Sequence, residues 1–236
     1  DIFDLLDNAE EKILGLGNNH SGGDMLTMND VIIQALMKIE EWRQNDGTLT
    51  GVPSGFAELD KATRGWQPGD FIVIGARPSV GKTAFALNLV RNAALNPDKP
   101  IVCAMWSLEM KAVYLVLRML AAESDIYLHK IQTGRLDDNQ MKELVRRGAN
   151  KLKQANIFFD DKTNINLRSL RTKARKLKKK HNLGLIVIDY LQLMEGTGDN
   201  KGGNREQEVA RISRGVKNLA QELDIPIIAL SQLSRD

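Results

Sequence analysis

The chain has 236 residues, 42% hydrophobic and 27% charged, enough for one well-filled core and short for two independent domains. Its 33 Lys and Arg against 30 Asp and Glu leave a formal charge of +3, too small to name nucleic acid as a partner from composition alone. A single cysteine, Cys103, excludes an internal disulfide, and neither the apolar runs nor the acidic start DIFDLLDNAEE suits a membrane span or a signal peptide, which leaves a reducing, cytoplasmic compartment.

In chain order, Ile2, Leu6, Ala9, Ile13 and Leu16 follow at spacings of four, three, four and three, which predicts one apolar stripe on a helix about 22 Å long. The glycine-rich GLGNNHSGGD (15–24) cuts this helix off, so its stripe docks either on another surface, such as a neighbouring subunit, or on its own domain. A second helix is predicted from Thr27, with Asp30 three residues on as in a capping box, running through VIIQALMKIEEW. The stretch RQNDGTLTGVPSG (43–55) reads as a second linker.

From Gly69 onward, short β-rich runs alternate with helix-length segments: FIVIGA (71–76), IVCAMWS (101–107), NIFFD (156–160), GLIVID (184–189) and IPIIALS (225–231). They read as buried strands of a mostly parallel, twisted α/β sheet with helices on both faces. Such sheets bind ligands at the carboxyl ends of their strands.

Directly after the first run comes ARPSVGKT (76–83), which fits [AG]xxxxGK[ST] with Ala76 where glycine is commoner; Gly75 has the wrong spacing. In such a P-loop the backbone N–H groups of Ala76, Arg77, Pro78, Ser79, Val80, Gly81, Lys82 and Thr83, proline excepted, line a cradle for phosphate oxygens. Gly81 permits the turn, Lys82 neutralises the β and γ charge, and Thr83 ligates magnesium, so ATP and Mg2+ are the expected ligands. The acid needed for that metal is Asp189, at the end of GLIVID. Many ATPases of this class carry a catalytic Glu next, but here Tyr190, Leu191 and Gln192 follow. Glu109, in WSLEM at the end of the second run, is the alternative base for an attacking water, with a plain first-turn helix acid as the competing reading. Gln232, in ALSQLSR, offers an amide at the same edge, or is simply a turn residue.

Together, TGVPSGFAELD (50–60), ARPSVGKTAFALN, SLEM, LGLIVIDYLQLM and ALSQLSR, in this order, resemble the bacterial and phage replicative DNA helicases of the DnaB type. The resemblance implies a RecA-like P-loop motor in a homo-hexameric ring, moving 5′ to 3′ on single-stranded DNA, with primase and a helicase loader as partners. It casts Glu109 as catalytic base, Gln232 as γ-phosphate sensor and DIFDLLDNAEEKILGL as the linker helix that docks on the adjacent subunit. The expected organisation is a linker helix and linker at 1–24 and a motor domain at 25–236 that stops short of the family's last motif. That motif carries an arginine finger worth about 10³ to 10⁵ in rate in nucleotide hydrolases, so residues 1–236 alone are expected to turn ATP over weakly. A RecA-like recombinase or nucleotide-gated assembly protein, and a kinase or GTPase, are the competing classes; no NKxD guanine signature occurs.

Two basic segments bear on DNA. The glycine-rich EGTGDNKGGNREQE (195–208) carries Lys201 and Arg205, candidates for backbone phosphate contacts in the ring channel, against a plain solvated loop. The run RSLRTKARKLKKKH (168–181) holds eight Lys or Arg, but Leu170, Ala174 and Leu177 recur at helical spacing and pin one face to the sheet, leaving the cations as an outer face. His20, His129 and His181 lack metal-ligand spacing, so no zinc is expected.

Overall fold

The continuous apolar runs become the centre of the sheet. In the computed structural model, β1 (Phe71–Ala76), β2 (Cys103–Ser107), β3 (Ile157–Asp160), β4 (Leu185–Asp189) and β5 (Ile227–Gln232) pair in the order β1-β5-β4-β2-β3, all parallel. The structure describes residues 25–44, 49–163, 165–194 and 205–233; the linker helix expected within 1–24 lies outside them, as does Lys201. Every residue of β2 and β4 is buried, which is why neither strand alternates with polar residues in sequence.

Alternation along the strands instead sends side chains to two separate cores. Ala104, Trp106, Ile186, Ile188, Ile227 and Ala229 pack on one face. Cys103, Met105, Leu185, Val187, Ile228 and Leu230 pack on the other. The helices number α1 (Met28–Gln44), α2 (Ala57–Thr63), α3 (Lys82–Ala94), α4 (Ala112–Ser124), α5 (Leu128–Gln132), α6 (Asp138–Glu143), α7 (Leu167–His181) and α8 (Arg205–Leu223). Beyond α6 the chain runs through a π-helical stretch (Leu144–Ala149) into a last turn (Asn150–Leu152). From α3, Ala86, Leu89, Val90 and Ala93 cover the second core, and from α7 and α8, Leu170, Ala174, Val216 and Leu219 cover the first, so helices do lie on both faces. Burial pushes the Cys103 thiol up to about 12, which leaves it an inert core residue.

The chain divides into two units, Asp1–Thr48 and Leu49–Asp236. Within the first, α1 begins as its sequence predicts: the Asp30 N–H donates to Thr27 Oγ1, and the Thr27 N–H donates to Asp30, both at 3.3 Å. In the second, residues 50–55 are not a linker. The N–H groups of Ser54 and Gly55 donate to the two carboxylate oxygens of Asp60 at 2.7 and 3.0 Å, Val52 bridges Trp66, and the Asn92 amide donates to the Ser54 carbonyl at 2.9 Å. Gly55 is there for fit rather than flexibility, since its φ is +77° and a Cβ would lie 2.3 Å from the Asn92 amide. Composition alone reads glycine and proline as loosening signals, whereas here they let the backbone lie close against α3.

The basic run behaves as its periodicity predicts. Leu170 and Ala174 are wholly buried and Leu177 packs against the same core. Lys173 pairs with Asp160, and Arg171 and Arg175 both pair with Glu222. Among the described residues no helix is long and apolar enough to cross a membrane.

Candidate nucleotide site

Strand order decides what meets at the carboxyl edge. β5 lies between β1 and β4, with β2 on the far side of β4, so the loops after β1, β4 and β2 and the end of β5 share one rim. After Ala76 the backbone turns through positive φ at Ser79 (63°) and Gly81 (101°) before α3 begins at Lys82. Gly81 caps that helix without any side-chain bond, which leaves the first-turn N–H groups open to an anion. A Cβ at Gly81 would meet nothing within 4 Å, so the left-handed φ, not crowding, favours glycine here.

Lys82 points a buried ammonium that has no hydrogen-bond partner, 4.9 Å from the centroid of the Tyr190 ring. Beside it, the Thr83 hydroxyl donates to Asp189 Oδ2 at 2.7 Å. Asp189 is fully buried, and its other carboxylate oxygen, Oδ1, has no partner. Burial holds the Asp189 carboxyl above its ordinary range, the Thr83 hydrogen bond opposes this, the Glu109 charge adds to it and Lys82 opposes it. A buried, unpaired ammonium next to a buried, half-paired carboxylate is costly in an empty protein and well matched to a phosphate with a divalent cation.

Glu109 follows β2, whose last residue, Ser107, stands in register with Asp189. The turn is fixed from both sides. The Leu108 N–H donates to the Asp189 carbonyl at 2.8 Å, and Ser107 Oγ donates to the Met110 carbonyl at 2.7 Å while accepting the Met110 N–H at 3.2 Å. Glu109 itself is exposed, and its charge, after burial, helps to raise Tyr190 as it does Asp189. Gln232 ends β5 opposite Ala76, the first residue of the loop. The structure thus gathers residues 76–83, Glu109, Asp189 and Gln232 on one edge.

Arg205 does not join them as a free cation. Its guanidinium donates to the carbonyls of Gln192 and Met194 and pairs with Glu208. Three residues at this rim are not singled out by motif: Tyr190, which covers Lys82; Ser107, which shapes the Glu109 turn; and Gln192, whose amide reaches Ser231 and Gln232. Tyr190 and Gln192 stand where a catalytic carboxylate is sought in related ATPases, and a search for an acid passes over them.

Residues 51–236 match the DnaB-like helicase C-terminal domain family. The chain is 46% identical over 231 residues to the replicative DNA helicase DnaB of Geobacillus stearothermophilus, covering 98% of this chain and 50% of that protein. It is 43% identical over 235 residues to the replicative DNA helicase DnaC of Bacillus subtilis (strain 168), covering 100% and 51%. The chain therefore spans about half the length of these relatives. Among solved structures, an isolated ATPase domain superimposes with a TM-score of 0.81 at 35% identity, over 90% of this chain and 73% of that one. A DnaB-like replicative helicase studied with its interactions with primase gives a TM-score of 0.77 at 32% identity, over 99% and 57%. With a phosphate loop, its buried acid and a parallel sheet of matching topology on one rim, and with this family match over most of its length, the chain belongs to the DnaB-like helicase family.

Proposed function

We propose that this chain supplies the motor of a cytoplasmic replicative DNA helicase, which hydrolyses MgATP in a ring of six copies to move 5′ to 3′ on single-stranded DNA and open the duplex at the replication fork. The observation that supports it most is the coupling of the phosphate loop to the strand-end acid, Thr83 Oγ1 to Asp189 at 2.7 Å, with Lys82 unpartnered beside them. Polarity, ring size and the primase and loader partners rest on the family alone.

In this reading the loop N–H groups and the first turn of α3 hold the β- and γ-phosphate oxygens, and Lys82 neutralises them. No cluster of three or more His, Cys, Asp or Glu that could hold a metal occurs among the described residues. That suits magnesium, which keeps several waters and takes one or two protein ligands beside the phosphates; here those are the Thr83 hydroxyl and the orphaned oxygen of Asp189. When bound, the metal neutralises charge on the β- and γ-oxygens. Glu109 takes the proton of the attacking water, and Gln232 donates its amide to a γ-phosphate oxygen. For DNA, Lys201 is the candidate backbone contact, while Arg205 anchors the turn at Gln192 and Met194.

ATP turnover of the full-length protein, with and without single-stranded DNA, tests this beside Glu109→Gln. DNA-stimulated turnover that drops by about 10² to 10⁴ in the variant supports the assignment. Tight ATP binding with no response to DNA would replace it with a nucleotide-gated assembly protein.

A further inference from the structure

β5 pairs with β1 along its whole length, but its pairing with β4 ends at Ile188↔Ala229. Beyond Asp189 the chain leaves the sheet and folds into a 3-10 turn, Leu191–Leu193. The last residues of β5 therefore have a strand on one side only. The Leu233 N–H donates to the Ala76 carbonyl at 3.1 Å, and because main-chain groups alternate along a strand, those of Gln232 face away from β1, toward the missing neighbour.

The side chain of Gln192 stands in that place. Its Nε2 donates to Ser231 Oγ at 2.8 Å and to the Gln232 carbonyl at 3.3 Å, and its Oε1 accepts the Gln232 N–H at 3.4 Å. One donor and one acceptor meeting a single residue's C=O and N–H are what an adjacent strand would offer. Gln192 is fixed in turn, since Arg205 at the start of α8 donates to its main-chain carbonyl and Leu191 beside it is buried.

We propose that Gln192 is a positioning residue: its amide completes the ladder at the end of β5, sets how Gln232 presents its own amide to the phosphate edge, and through Arg205 ties that setting to the first turn of α8. The inference rests on the reading of Gln232 as γ-phosphate sensor. It says that the sensor is held from the turn after Asp189, not by the sheet alone.

The test uses the full-length protein with single-stranded DNA and compares Gln192→Ala, Gln232→Ala and the double variant for kcat, KM for ATP, and affinity for a fluorescent ADP. Displacing a catalytic contact by about 1 Å costs on the order of 10²-fold, so Gln192→Ala is expected to lower kcat between about 10- and 100-fold. ADP lacks the γ-phosphate, and its affinity is expected to stay within about twofold. The double variant should be no slower than Gln232→Ala, because both changes remove one interaction. Gln192→Met, which keeps the length of the side chain and loses the amide, carries the same test if the alanine variant does not fold. Unchanged kcat in Gln192→Ala beside a slow Gln232→Ala overturns this inference and leaves the sensor reading standing, as do losses that multiply or a matching fall in ADP affinity. Unchanged kcat in Gln232→Ala removes the sensor reading and this inference with it.

Discussion

Replacing Asp189 with asparagine should make the nucleotide-free protein more stable while destroying its activity. In the structure the carboxylate is fully buried, with one oxygen bonded to Thr83 and the other without a partner. Asparagine keeps an acceptor for the Thr83 hydroxyl and exchanges an orphaned charged oxygen for an orphaned neutral amide. An unsatisfied buried group costs about 1–3 kcal/mol and a charged one more, so the exchange is expected to gain about 1 kcal/mol, limited by the lost attraction to Lys82. For a domain of this length that is a rise in Tm of about 2–4 °C. Ligand reverses the order. At 100 times its Kd, MgADP adds about 2.7 kcal/mol to the wild type, and less to a variant that has lost the oxygen facing the metal.

The pH dependence gives the same argument a sign. The folded Asp189 carboxyl is raised above its ordinary value, chiefly by burial, so its contribution to stability is present below the ordinary carboxylate range and lost as pH rises through the raised folded value. Wild type and Asp189→Asn should therefore melt together near about pH 4, with the gap opening as pH rises. Thermal melts in EDTA across pH, repeated with MgADP, read both effects. A variant less stable than wild type in EDTA at neutral pH, or a gap that ignores pH, would refute the reasoning.

Lys82→Ala is expected to lose ATP turnover by at least about 10²-fold, the scale of a lost transition-state contact. Because only the Tyr190 ring contacts its ammonium, stability by urea denaturation should change by no more than about 1 kcal/mol. Asp60→Ala should destabilise by about 2–4 kcal/mol in the same assay, since two N–H groups, those of Ser54 and Gly55, lose a charged acceptor; no change would restore residues 50–55 to the status of a linker. Lys179→Gln with Lys180→Gln should leave the salt dependence of single-stranded DNA binding unchanged, whereas two lost phosphate contacts would flatten the slope of log K against log salt by about 1.4.

What is legible before folding is whatever depends on neighbours in sequence. A run such as LIVID must be buried on both sides wherever it lies, and the loop 76–83 carries its own turn and its own cations. Leu170, Ala174 and Leu177 announce the covered face of α7 without reference to any other element. Residues 50–55 mislead for the complementary reason: their ordering comes from Asp60, Trp66 and Asn92, and the last of these lies 38 positions from its partner Ser54.

The site divides along the same line. Lys82, Thr83 and Asp189 are recognisable because phosphate and magnesium dictate residue type at fixed points of a strand-loop-helix unit. Gln192 is not, because no ligand dictates it. Its task arises from a defect in the sheet: β4 turns away at Asp189 to deliver the metal-facing acid, and β5 must continue to Gln232 with nothing on that flank. A side chain 40 positions upstream of Gln232 fills the gap, and its carbonyl is held in turn by Arg205, a residue that charge alone suggests for DNA. An acid placed at the end of a central strand thus creates the need for an amide after it, and in this chain the amide sits three residues on.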